Sequence, residues 1–125
     1  MLQMEVAGPT KGEQLVLNQA HIDRLLLEQS RLAADFAKSD EWDHAGFNSA
    51  HDYIRFHCHV TSTIAANYLT VGGTLPQLGQ TVAAMESQEV GFAHLVVMAR
   101  TADAVGDLFD EGKLLALDHV PQAVA

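Results

Sequence analysis

Two histidines flank the only cysteine of the chain in the stretch "FHCHVTSTIA", residues 56–65. Imidazole and thiolate are the side chains that hold zinc. His57, Cys58 and His59, with His51 seven positions before the cysteine, are therefore the first candidates for a metal centre. The spacing argues against one. Neighbouring residues on a helix point about 100° apart, so three consecutive ligands do not converge on one ion. The chain has no second Cys and no H-E-x-x-H or C-x-x-C pair. His51, His57 and His59 stand as weak metal candidates, no cofactor is implied, and the metal-dependent small enzyme is a minor reading. Cys58 is expected to be a small buried apolar group, because no neighbour is arranged to make it a thiolate. His94, in an apolar segment, is expected to be a core histidine bonded to a backbone carbonyl or another side chain.

The same stretch also reads as the corner of a helix-turn-helix. A helix over 49–58, a turn at His59-Val60 and a helix opening at Thr61 have roughly the spacing of that motif. Its second helix offers Thr61, Ser62, Thr63 and Asn67, and the nearest cation is Arg55. DNA readers position themselves through Arg and Lys on phosphates, and the 16 acids outnumber the 7 Lys and Arg, a net charge of −9. Nucleic-acid binding is accordingly expected to be weak, and docking on an anionic membrane is disfavoured. The acid pairs Asp40-Glu41 and Asp110-Glu111 are expected to be solvated surface.

These residues must be held by helices. Ile22, Leu25, Leu26, Leu32, Ala33 and Phe36 recur at spacings of 3, 4 and 7, which predicts one long helix over 12–38 with these residues on its inner face. Ser49, with Asp52 three residues later, caps a second helix. Thr61 caps a third, which Gly72-Gly73 should end or loosen. Pro76 suits the first turn of a fourth. A fifth, over 90–104, is apolar on most sides, and a short sixth fits "DLFDEGKLLALD". No segment alternates with period 2. The fold class is all-α, a compact bundle of five or six helices with a helix-turn-helix-like corner. Residues 1–11 read as a flexible arm and 12–125 as a single helical domain. Its core is expected to draw on Leu25, Leu32, Phe36, Ile54, Leu69, Leu78, Val82, Leu95, Val96 and Met98. One Cys allows no internal disulfide, and no apolar run approaches the ~20 residues of a membrane span. A cytoplasmic protein is expected.

From Gly46 to Thr101 the chain resembles the domain of unknown function numbered 222, the 13E12 repeat family of actinobacteria and related bacteria. Gly46, Ser49, Tyr53-Ile54-Arg55, Thr61, Ala65, Val71-Gly72, Leu75, Leu78, Thr81, Ala84, Glu89-Val90-Gly91, His94 and Arg100 fall on that family's pattern, and Trp42 matches its upstream tryptophan. Such domains often precede an HNH nuclease module. The sequence carries no Cys pairs or His-Asn-His set for that module, so the resemblance transfers no catalytic residue. It implies a non-catalytic helical interaction module like the N-terminal region of HNH-nuclease-associated proteins, with a second copy or a downstream nuclease-type domain as partner. A two-fold dimer is expected, through apolar surface left on the 90–104 helix and on Ile64, Ala65, Tyr68 and Leu69.

Overall fold

The computed structural model describes residues 8–119, so most of the arm expected over 1–11 lies outside the described residues. Helix α1 (Lys11–Lys38) is followed by α2 (Glu41–His44), α3 (Ala50–His57), α4 (Ser62–Thr74), α5 (Gly79–Glu86), α6 (Phe92–Val105) and α7 (Glu111–His119). Single 3₁₀ turns lie at Leu75–Gln77 and Gly106–Leu108. No strand occurs among the described residues, and the helices pack on one another as an all-α bundle. The single turn α2 lies where the sequence shows only a break.

Side-chain caps set the helix starts. Thr10 and Glu13 form a reciprocal capping box on α1: the Glu13 N–H donates to Thr10 Oγ1 (3.0 Å) and the Thr10 N–H to Glu13 Oε1 (2.8 Å). Ser49 Oγ accepts from the Asp52 N–H at 3.1 Å and Thr61 Oγ1 from the Ile64 N–H at 3.2 Å, so the two caps read from sequence open α3 and α4. The α3–α4 connection runs Cys58 to Thr61 and turns on His59, whose φ of 56° is left-handed.

Helix α4 is the centre of the bundle. Its Val71 joins Leu27, Leu78, Met85, Phe92, Leu95 and Met98 in the larger apolar cluster. Its Ala65 and Tyr68 join Ala33 and Ile54 in a smaller one, and Leu26 packs against both. The closest contact is with α1. A Cβ on Gly72 would lie 2.1 Å from the Ser30 carbonyl oxygen and 2.7 Å from Ala34 Cβ. Ser30 is fully buried, its Oγ returned to the Leu26 carbonyl at 2.9 Å. Only glycine lets the two backbones meet at this distance. Gly72-Gly73 therefore does not end the third predicted helix, which runs on to Thr74.

Several expectations are corrected here. The inner face of α1 is the line Asp23, Leu27, Ser30 and Ala33, whereas Leu25 and Leu32, assigned to the core, are 51% and 58% exposed. The small residues of that line admit α4; the larger ones a quarter-turn away stay outside. Ile54, Leu78, Leu95 and Met98 are buried as expected, and Phe36, Leu69, Val82 and Val96 are partly buried. Helix α6 buries Phe92, Leu95, Met98, Ala99 and Ala102 within the chain, and of its large residues Val97 and Val105 are exposed. Of the pair Asp110-Glu111, Asp110 is exposed as expected, but Glu111 is half-buried. Glu111 Oε2 accepts from both the N–H (2.7 Å) and the Oγ1 (2.8 Å) of fully buried Thr81, and Asp110 Oδ1 accepts from the Lys113 N–H. This ties α7 to α5.

Gly72→Ala will destabilise the domain by about 2 kcal/mol or more, because overpacking against backbone outweighs the ~1 kcal/mol of helix propensity that Ala gains. Gly73→Ala, where an added Cβ meets nothing within 4 Å, will stabilise it by about 0.5–1 kcal/mol. Urea unfolding of the two variants checks both signs.

Candidate interaction surface

His51 and the two histidines of the 56–65 stretch have different tasks. His51 lies in the first turn of α3, with Nε2 3.0 Å from the Ser62 carbonyl oxygen and 3.2 Å from Ser62 Oγ, joining the starts of α3 and α4. His57 stacks in an aromatic group, its ring 4.5 Å from Tyr53, 5.0 Å from Phe56 and 5.4 Å from Phe47. His59 is exposed on the turn. No three His, Cys, Asp or Glu side chains converge as a metal site among the described residues. Cys58 is exposed, contrary to the buried role expected of it, because it falls at the C-cap of α3, where the helix turns outward. Its Sγ is 4.0 Å from Gln29 Nε2.

The candidate nucleic-acid residues are also separated in role. Thr61 caps α4 and Ser62 is held by His51, while Arg55, Thr61, Ser62 and Thr63 are exposed. Asn67 instead lines a groove of about 430 Å³ between α1, α4 and α6, with Leu26, Ile64, Tyr68, Phe92 and Val96. Burial pushes the Tyr68 phenol above its ordinary value, and the nearby Cys58 adds to this. The groove walls are mostly apolar and carry one acid, Asp23.

Asp23 is the one buried carboxylate among the described residues. Its Oδ1 accepts from Gln19 Nε2 at 2.9 Å, and its Oδ2 comes within 3.3 Å of where a Cβ on Gly91 would stand. The carboxylate thus faces the positive end of α6. His94, half-buried, accepts the Gly91 N–H on Nδ1 at 3.1 Å. It bonds a backbone N–H rather than a carbonyl, because it sits in the first turn of α6, where the unpaired backbone groups are donors. His94 caps the start of α6, and Asp23 lies beside it.

The feature that internal packing leaves unexplained is the outer face of α1. Leu15 (72%), Ile22 (39%), Leu25 (51%) and Leu32 (58%) are exposed. With Asn18, Gln29 and Phe36 they mark positions 15, 18, 22, 25, 29, 32 and 36, alternating steps of three and four. That is a heptad seam, the pattern by which one helix packs along another. Residues 11–19 are exposed, and since Val16 and Gln19 border a groove toward Met85, Gln88 and His94, it is the first turn of α1, up to Leu15, that extends past the other helices. The seam's other end runs beside α3, where Gln29, Leu32, Ala33, Phe36, Tyr53 and Cys58 line a groove of about 140 Å³. The spacing of Ile22, Leu25, Leu32 and Phe36 is legible in the sequence and predicts an inner face, but the line Asp23, Leu27, Ser30 and Ala33 of the same helix takes that side. No helix among the described residues is long and apolar enough to cross a membrane.

His59→Gly will raise stability by about 0.5–1 kcal/mol by relieving the left-handed backbone, measured by urea unfolding. Fluorescence anisotropy with duplex DNA will give a Kd of about 10⁻⁴ M or weaker at physiological salt, since the exposed start of α4 carries no cation. No family model, curated protein or solved structure matches the chain, so its surface is read from its own chemistry.

Proposed function

We propose that this chain is a non-catalytic helical interaction module of the 13E12 repeat type, like the N-terminal region of HNH-nuclease-associated proteins, working in the cytoplasm. The observation that carries the reading is the exposed heptad seam of α1. Contiguous exposed apolar faces mark interaction sites, and this one adds a regular spacing that fits a helical partner. The partner classes are a second copy or a nuclease-type domain. What supports the family resemblance is that its positions have structural jobs: Ser49 and Thr61 are caps, Gly72 admits α1, Thr81 receives Glu111, and Gly91 and His94 open α6. Such a pattern describes a scaffold rather than a reaction centre.

Leu15→Asp, Leu25→Asp and Leu32→Asp test the reading in dilute solution. Leu15→Asp and Leu25→Asp will each change unfolding free energy by no more than about 0.5 kcal/mol, as at exposed sites without internal partners, and Leu32→Asp, beside the α3 groove, by no more than about 1 kcal/mol. Each will also reduce the fluorescence of an apolar-surface dye. Leu95→Ala, fully buried, will cost about 2–5 kcal/mol. Should Leu25→Asp cost as much as Leu95→Ala, the seam is core and the module reading fails.

A further inference from the structure

Resting on that reading, we infer that the α1 seam docks on α1 of a second copy, antiparallel, about a two-fold axis passing between residues 23 and 24. The inference comes from the order of residues along the seam. In an antiparallel pair of heptad helices, first-position residues face fourth-position residues of the other chain. Set about that axis, Leu15 faces Leu32 of the second copy, Ile22 faces Leu25, and Asn18 faces Gln29. Apolar meets apolar in the Leu15–Leu32 and Ile22–Leu25 layers, the two carboxamides meet each other, able to exchange hydrogen bonds, and at the end of the seam Phe36 meets the aliphatic stem of Lys11. A slip by one heptad in either direction puts a carboxamide against an aliphatic residue. The flanking row agrees, because His21 then lies beside Glu28 of the second copy.

A second observation fits the same axis independently. The projecting first turn of α1, up to Leu15, needs cover, since a short helical end is marginal alone in water. The apolar groove between α1 and α3 lies open beside Leu32. They lie at opposite ends of the seam, so the two-fold lays Leu15 of each copy beside Leu32 and the groove of the other. A two-fold contact requires such a self-complementary patch. This surface differs from the α6 face from which the sequence suggests a dimer.

Light scattering over a concentration series will give twice the 13.5 kDa chain mass. Leu15→Lys and Leu32→Glu will each weaken the dimer at least tenfold. The double variant will restore it, because each new cation faces a new carboxylate of the other chain. In a Cys58→Ser background, spin labels at Arg24→Cys will lie about 10–20 Å apart across the dimer, and labels at Lys38→Cys more than about 40 Å apart. A single monomer mass throughout the micromolar range overturns the second copy as occupant, while the exposure of the seam, tested by the Asp variants, stands. Equal label distances at the two sites, or a double variant weaker than either single one, overturn the antiparallel register.

Discussion

The approach of Ser30 to Gly72 is the constraint on which the rest of the structure depends. It draws α1 and α4 together at backbone contact, and no Cβ fits on Gly72. With that distance set, Leu27 and Val71 reach the larger cluster, and Ala33, Ala65 and Tyr68 close the smaller one. Helix α4 then has α1 on one side and α6 on the other, with α3 against its N-terminal half through His51 and Ser62. Little of this contact is hydrophobic area. Its contribution is placement, and the apolar burial gathers around it.

The same contact explains what is left outside. A helix presents one direction to its closest neighbour, and α1 presents small residues. Leu27 aside, the aliphatic residues Leu15, Ile22, Leu25 and Leu32 are turned about a quarter of the way round, where α3 covers them only near the C-terminal end. The exposed seam is therefore the other side of a packing decision made at Gly72. A Leu or Ile in place of Ser30 would hold α4 off and leave α1 free to roll its aliphatic stripe inward. The polar members Asn18 and Gln29 suit a surface that is wet in the free chain and covered in a complex.

Much of the fold is legible in the sequence. Ser49 and Thr61 identify their helices because a hydroxyl at that place satisfies a specific backbone N–H, a local rule independent of tertiary structure. Period 3.6 identifies α1, and a run apolar on most sides identifies α6. Which stripe of α1 goes inward is not legible from hydrophobicity, because two stripes compete and the winner is the one that permits closest approach. Gly72 reads as a helix breaker by propensity, yet the helix continues through it, because tertiary contact outweighs ~1 kcal/mol of local preference. Glu111 reads as solvent-facing because its partner, Thr81, is thirty positions away. The candidate site was half visible: its spacing could be read, but its side of the helix could not.

The position of Gly72 in the chain also sets an order of events at the ribosome. Helix α1 emerges first, with both stripes bare, and the glycine against which it must close is made some forty residues later. At 5–20 residues per second that interval is about 2–8 s. Helix formation takes microseconds or less, so α1 forms and melts many times as an undocked, marginal helix before its glycine arrives. Neighbouring nascent chains on one message would then present their seams to one another before either domain has closed.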